Sequence, residues 1–206
     1  LQGFRIEGWR RRPFRAPHHT ASAVALVGGG GRPRPGEVSL AHHGVLFLDE
    51  LPEFNRYVLE VLREPLESGC IVISRAARQA EFPARFQLIA AMNPCPCGHL
   101  GDNQGRCRCP PERVSAYRSR VSGPLLDRID LHVEVGRVSL EEISDAARPE
   151  PSADVAARVA AARERQWRRQ SRPNARLEAT NALAEACGVE AAALGVLGRA
   201  MRQLGM

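Results

Sequence analysis

The sequence predicts an α/β fold with a parallel sheet, followed by a smaller all-helical portion. Two largely apolar segments of strand length, residues 45–48 and 86–92, carry this prediction, because such runs are typical of strands buried in a parallel sheet. A helical spacing of apolar residues follows the first run and puts Leu59, Leu62 and Leu66 on one face. Strands that alternate with helices in this way favour parallel pairing through crossover helices.

The other elements are predicted from turn residues and periodicity. Gly69 is expected to end the first long helix as a C-cap residue. We divide the chain into a partial α/β core at residues 1–146 and a linker with a partial helical region at residues 147–206. The predicted elements, in chain order, are an irregular segment at 1–36 with a short helix around 21–27, a helix at 56–67, a hairpin of 70–74 with 79–83, a helix at 112–121, a strand at 131–135, and helices at 154–170, 179–187 and 190–204.

The composition favours a soluble cytoplasmic protein and excludes one type of phosphate site. No apolar run approaches the length of a membrane span, about 18 residues, and no signal peptide opens the chain, so we expect no membrane partner. The net charge of +6 is compatible with a nucleic-acid partner. All 29 basic residues are arginine. Because a phosphate-binding loop needs a lysine, the glycine-rich segment 27–36 is predicted to be an ordinary flexible loop.

Two carboxylates, Asp49 and Glu50, directly follow the first predicted strand. They would lie at the carboxyl edge of the sheet, where α/β folds bind ligands. An aspartate there can hold Mg²⁺, and a glutamate can polarise the water that attacks a γ-phosphate. An acidic pair that only caps the following helix is the alternative that this short motif leaves open.

Two further polar residues favour the phosphate chemistry. Asn93 ends the second strand, so its amide is expected beside Asp49, where it would orient the attacking water. Arg128 precedes the third predicted strand and could offer its guanidinium to a phosphate.

Four cysteines form two Cys-x-Cys pairs, Cys95 with Cys97 and Cys107 with Cys109, separated by nine residues. Four thiolates on one short loop can form a tetrahedral structural zinc site, and glycines between the pairs let the backbone fold around the ion. We therefore predict bound Zn²⁺. Disulfides and free thiols on a loop are the alternatives.

Four segments make the chain similar to the magnesium-chelatase-like AAA+ ATPases of the ComM/YifB type. The resemblance spans most of the chain and implies a partial AAA+ core with a hairpin before the second strand and a partial helical lid. It implies a bacterial motor of DNA transformation and branch migration that binds ATP and Mg²⁺. The segments are RPFRAPHHTAS (12–22), PRPGEVSLAHHGVLFLDELPEF (33–54), PARFQLIAAMNPCPCG (83–98) and YRSRVSGPLLDRIDLHVEV (117–135).

The resemblance assigns roles to the residues at the sheet edge. Asp49 and Glu50 match the Walker B pair, for magnesium and water activation, and Asn93 matches the sensor 1 residue. The Walker A loop of this family is expected before residue 1. The resemblance therefore implies a piece of a longer protein that is catalytically inactive by itself.

The same resemblance implies a ring, with a hexamer as the expected assembly. Arg128 matches the arginine finger that reaches the nucleotide of a neighbouring subunit, and Arg120 is a second candidate for nucleotide contact. An ion pair of Arg128 with Asp127 or Asp130 within the chain is the alternative.

The predicted hairpin is the expected contact with single-stranded or branched DNA. Arg75 and Arg78 lie at its turn, where they could bind phosphates, although a solvated turn is an open alternative. Two rival functions remain at this point. One is a magnesium-chelatase subunit that uses the same ATPase core, and the other is a non-catalytic, zinc-stabilised DNA-binding module.

Overall fold

The computed structural model describes residues 11–30, 33–75, 78–101, 105–136, 138, 150–177 and 187–204, without the side chains of residues 75–78. Two compact units divide the chain, Leu1–Glu134 and Val135–Met206. In the first unit the strands are β1 (Phe14–Arg15), β2 (Gly28–Gly29), β3 (Arg34–Pro35), β4 (Val45–Leu48), β5 (Cys70–Arg75), β6 (Arg78–Pro83) and β7 (Gln87–Ala90). Its helices are α1 (Ala23–Val27), α2 (Glu37–Leu40), α3 (Arg56–Val61), α4 (Arg63–Ser68), α5 (Pro111–Arg118) and α6 (Gly123–Leu126).

A parallel three-stranded sheet, in the order β1-β4-β7, organises the first unit. Strand β4 is central, with Val45 beside Phe14 on one side and Leu48 beside Ala90 on the other. The predicted α/β class and both predicted apolar strands are confirmed, but the expected burial of the second strand is wrong, because no residue of β7 is buried. The sheet is consistent with a partial AAA+ core, and it brings the carboxyl ends of β4 and β7 to the same edge.

The predicted strand at residues 131–135 is wrong. These residues form no strand, and the apolar side chains of Leu131, Val133 and Val135 are 82%, 79% and 88% exposed. A strand needs a neighbour that satisfies its backbone N–H and C=O groups, and no described strand pairs with this segment.

The third strand of the sheet is instead β1, inside a segment that we expected to be irregular. Its two residues are too few to show an alternating pattern, and Pro13 and Pro17 flank them. The segment that contains β1 lies very close to the start of β4, since a Cβ atom added to Gly44 would lie 1.9 Å from the carbonyl oxygen of Pro13. Glycine at position 44 is therefore required by the pairing of β1 with β4.

The helix predicted at 56–67 forms as two consecutive helices, α3 and α4, with a break at Leu62. Pro65 explains the break, because proline lacks an N–H group and its ring clashes with the carbonyl four residues earlier, that of Val61. Gly69 ends α4 in the left-handed conformation, with φ of 74°, as predicted. The antiparallel hairpin β5–β6 follows and is also confirmed.

The hydrophobic core lies under β4 and the helices that follow it. Leu46 and Leu48 of β4 are fully buried, whereas Val45 and Phe47 on the other face are only half-buried, so β4 is less enclosed than predicted. The other fully buried large side chains are Leu26, Val38, Pro52, Val58, Leu59, Leu62, Ile71, Cys95 and Leu125.

The second unit contains α7 (Ser152–Gln170) and α8 (Ala191–Leu204), close to two predicted helices. The helix predicted at 179–187 lies mostly outside the described residues. None of the residues of α7 or α8 is buried. Among the described residues, no helix is both long and apolar enough to cross a lipid bilayer.

Candidate functional site

The paired ends of β4 and β7 bring three of the predicted site residues to one sheet edge. The pairing continues past the strands, because Ala91 donates a backbone hydrogen bond to Leu48 and Leu51 donates one to Ala91, both of 2.9 Å. Asp49 lies between these two bonds, and Asn93 follows two residues after Ala91. Asp49 and Asn93 therefore follow paired strand ends at the same edge of the sheet, and the placement of the Asn93 amide beside Asp49 stays a prediction.

Glu50 has an unusual backbone conformation for a residue other than glycine. Its φ and ψ of 53° and 47° lie in the left-handed region, which costs roughly 1–2 kcal/mol for an ordinary L-residue. Its N–H group donates to Asp49 Oδ1 at 2.9 Å, and both side chains are exposed. The chain thus turns sharply after β4 and presents both carboxylates to solvent.

The helix-cap interpretation of the carboxylates is wrong. Asn55, and not an acidic residue, caps α3 by accepting a hydrogen bond from the N–H of Tyr57 at 2.9 Å. Glu50 stands before the 3₁₀ turn Leu51–Glu53, but its side chain makes no capping bond.

His19 lies beside Glu50, whereas the sequence had predicted only that the pair His18–His19 orients loops near the nucleotide or the subunit interface. Its Nδ1 atom lies 2.9 Å from Glu50 Oε2, and its ring packs edge-on against Phe54. The neighbouring His18 points elsewhere, with its Nδ1 atom 2.8 Å from the hydroxyl of Thr20. The two adjacent histidines were the only available signal, and their spacing did not reveal which carboxylate one of them contacts.

Asn93 is held between helix α5 and the cysteine-rich loop. The phenol of the buried Tyr117 of α5 interacts with the backbone of Asn93, and the next residue, Arg118, donates from Nε to the carbonyl oxygen of Pro94 at 3.1 Å. Burial raises the pKa of Tyr117, and the charge of Glu53 raises it further, so the phenol stays protonated at neutral pH.

The two candidate arginines contact carboxylates other than Asp49 and Glu50. Arg120 Nη1 lies 2.8 Å from Glu53 Oε2. Arg128 forms an ion pair with Glu67 of α4, and its Nε atom is buried without a hydrogen-bond partner among the described residues. An intrachain pair was the alternative expected for Arg128, but the partner comes from a distant helix rather than from the adjacent aspartates.

The four predicted cysteines are brought together. All four Sγ atoms lie within 4.8 Å of one another. The separations are 3.4 Å for Cys95 to Cys97, 3.8 Å for Cys95 to Cys107 and 3.7 Å for Cys97 to Cys107. Because Zn–S bonds of about 2.3 Å in a tetrahedron separate sulfur atoms by about 3.8 Å, the cluster could hold a metal ion.

Hydrogen bonds among the thiols shift the pKa values of Cys95 and Cys107 in opposite directions. Burial raises the pKa of Cys95, but hydrogen bonds from Cys97, the backbone and Cys107 outweigh burial and lower it to about 6. A backbone hydrogen bond at Cys109 acts to lower the pKa of Cys107, but burial and its sulfur neighbours raise it to about 11. One thiolate is therefore favoured and its neighbours donate to it, as expected of a tight cluster of sulfur ligands.

The candidate DNA-binding residues lie at the tip of the confirmed hairpin. Arg75 and Arg78 are paired in its last register position. Their side chains lie outside the described part of the chain, so phosphate contact by them stays a prediction.

A match to a protein-family model identifies the family of the chain. The family model described as magnesium chelatase, subunit ChlI, matches residues 2–143. The chain belongs to the magnesium chelatase family. The C-terminal model of the same subunit matches residues 149–206 of this magnesium-chelatase family member.

Curated relatives confirm the resemblance to the ComM/YifB type within that family. The chain is 57% identical to YifB of Salmonella typhimurium over 82% of the chain, and 51% identical to YifB of Escherichia coli over 96% of the chain. It is 50% identical to the competence protein ComM of Haemophilus influenzae over 98%. It spans 33% of the first of these relatives and 39% of the other two. A rice chloroplast magnesium-chelatase subunit ChlI is 29% identical over 53% of the chain.

Proposed function

We propose that this chain is part of an ATP-hydrolysing AAA+ motor that acts on DNA. The observation that carries the proposal is the shared sheet edge, where Asp49 and Glu50 follow β4 and Asn93 follows the paired strand β7. Family membership supports ATP as the nucleotide, and the 50% sequence identity to a competence protein supports DNA as the substrate.

Three side chains at this edge would each have a different role in ATP hydrolysis. Asp49 would hold the Mg²⁺ that neutralises charge on the ATP phosphates. Glu50 accepts a hydrogen bond from the attacking water and takes its proton, and the Asn93 amide orients that water. The exposed carboxylates fit this assignment, because neither forms an ion pair with an arginine of the described chain that would neutralise it.

Assembly into a ring, with six copies as the expected number, would complete the site. Arg128 and Arg120 contact Glu67 and Glu53 rather than the Walker B pair of their own chain. Family membership supports a role for Arg128 at the nucleotide of the neighbouring subunit, where its guanidinium would stabilise charge that develops during phosphoryl transfer. Nucleotide-driven movement of the subunits would then move the β5–β6 hairpin along DNA.

The cysteine cluster would hold one structural Zn²⁺ ion through Cys95, Cys97, Cys107 and Cys109. The sulfur separations of 3.4 to 3.8 Å among Cys95, Cys97 and Cys107, and the position of the Cys109 sulfur within 4.8 Å of the others, support this ligand set. Zinc keeps thiolates deprotonated and has no redox chemistry of its own, so it would contribute only to structure here. Mass spectrometry of the purified protein should find about one zinc ion per chain, and no zinc would leave the cluster as free thiols.

The ATPase assignment is tested with Glu50→Gln in the full-length gene product. We expect ATP binding to persist and hydrolysis to fall by roughly 10² to 10⁴, the usual contribution of a catalytic base. Glu64→Gln is a matched control, because Glu64 is an exposed carboxylate of α4. Unchanged hydrolysis in Glu50→Gln would reject the assignment and favour the non-catalytic DNA-binding module.

DNA binding is tested with the double variant Arg75→Ala/Arg78→Ala. We expect weaker binding of single-stranded or forked DNA and a shallower dependence of affinity on salt, since two phosphate contacts are lost. Arg56→Ala/Arg113→Ala removes the same charge from two exposed positions outside the hairpin and serves as the control. Equal affinity in both variants would reject the hairpin as the DNA contact, and no DNA binding by the wild type would favour the chelatase function.

A further inference from the structure

The cysteine cluster joins the two ends of the connection between β7 and α5. Cys95 and Cys97 come shortly after β7 ends, whereas Cys107 and Cys109 come just before α5 begins at Pro111. Their sulfur atoms nevertheless lie within 4.8 Å of one another. A metal ion bound by all four would therefore link the end of the strand to the start of the helix.

Asn93 lies next to this link on the strand side. It is separated from Cys95 only by Pro94, and Cys95 is completely buried. A Cβ atom added to Gly98 would lie 3.9 Å from Asn93 Oδ1, so the loop passes beside the Asn93 amide. The N–H of Gly98 donates to the carbonyl oxygen of Cys95 at 2.9 Å, which fixes this part of the loop to a cluster residue.

Residues of helix α5 also contact the Asn93 segment. The phenol of Tyr117 in α5 interacts with the backbone of Asn93, and Arg118 donates to the carbonyl oxygen of Pro94 at 3.1 Å. Both contacts require α5 to hold its position relative to β7. The Asn93 segment is thus fixed by contacts whose two sides are joined through the cysteines.

We propose that metal binding by the four cysteines positions the Asn93 amide for ATP hydrolysis. The proposal rests on the proposed ATPase function and adds a positioning role for cysteines that would not touch ATP. A tetrahedral metal site fixes the separation of β7 and α5 and limits the alternative arrangements of the loop. Without the metal, Asn93 would be held only by its chain connection to β7 and by single contacts with α5.

The first test is the double variant Cys107→Ser/Cys109→Ser in the full-length gene product. These two cysteines are less buried than Cys95, so their replacement removes two ligands with little effect on the core. We expect loss of bound zinc and a fall in kcat of about a hundredfold, the usual effect of misplacing a reacting group by 1 Å, with little change in the KM for ATP. Cys187→Ser is the control, because Cys187 is exposed and is not part of the cluster.

A double-mutant cycle with Asn93→Ala distinguishes positioning from general destabilisation. If the metal acts through the Asn93 amide, removal of the two cysteines should lower kcat little further once Asn93 has been replaced. Multiplicative effects of the two changes would overturn the proposal. Normal kcat in the metal-free cysteine variant would overturn it as well, with the ATPase function left intact.

Two readouts do not depend on activity. Cobalt(II) bound in place of zinc should show the visible absorption of a tetrahedral thiolate site in the wild type and lose it in the cysteine variant. Hydrogen exchange at residues 92–98 should be faster in the metal-free protein, and slow exchange equal to that of the wild type would contradict the proposal.

Removal of zinc from the wild type with a chelator tests the proposal even if the cysteine variant fails to fold. Zinc removed from the folded wild type should lower kcat, and zinc or cadmium added back should restore it, because both ions accept four thiolates. Wild-type protein with zinc that does not hydrolyse ATP would instead reject the proposed function, and the positioning role with it.

Discussion

His19 Nδ1 lies 2.9 Å from Glu50 Oε2, although 30 residues separate them along the chain. The contact exists because β1 pairs with β4, which brings the loop after β1 beside the turn after β4. Glu50 is the proposed base, so the imidazole would hold its carboxylate in one orientation.

His19→Ala is expected to lower kcat about tenfold, because a base that rotates freely is correctly aligned less often. The KM for ATP should change little, since the contact is with the base. His19→Gln should retain most of the activity, because an amide can also donate to Glu50, and His132→Ala controls for loss of an exposed imidazole. Steady-state ATPase kinetics measure both constants, and equal kcat in the alanine variant and the wild type would remove His19 from the site.

Arg128→Ala in the full-length gene product should abolish most ATP hydrolysis without loss of nucleotide binding, because the guanidinium is proposed to act across the subunit interface. Glu67→Gln should retain hydrolysis, because it removes only the intrachain partner of Arg128. Nucleotide binding and turnover, measured on both variants, separate the two roles. A similar loss of turnover in both would mean that the ion pair itself is required.

Gly44→Ala should destabilise the fold by about 2–4 kcal/mol, because its Cβ atom would lie 1.9 Å from the carbonyl oxygen of Pro13 and push β1 away from β4. Gly123→Ala is the matched control, since nothing lies within 4 Å of its added Cβ atom. Chemical denaturation measures the difference in the free energy of unfolding. Equal stability of the two variants would contradict the pairing of β1 with β4.

Tyr117→Phe should reduce the free energy of unfolding by about 1 kcal/mol, the usual net value of one hydrogen bond, here the bond with the Asn93 backbone. Tyr57→Phe is the control, because Tyr57 is exposed. The raised pKa of Tyr117 means that the folded state binds the phenolic proton more tightly than the unfolded state. Above the unfolded pKa of about 10, the wild type should therefore lose stability with pH more steeply than Tyr117→Phe.

Features that depend on residues close in sequence were predictable from the sequence. The apolar run before Asp49, the C-cap at Gly69 and the Cys-x-Cys pairs each lie within a short segment. Their local chemistry limits what the backbone can do, since a run of this kind favours a buried strand and a left-handed cap favours glycine.

Only the tertiary structure decided the contacts between distant segments. Strand β1 has two residues and no detectable pattern of its own, yet it completes the sheet because β4 offers it a free edge. Residues 131–135 have an alternating pattern but no described strand to pair with, so the same rule excludes them. The pairing of His19 with Glu50 follows from this arrangement, and that of Arg128 with Glu67 likewise joins segments far apart in the sequence.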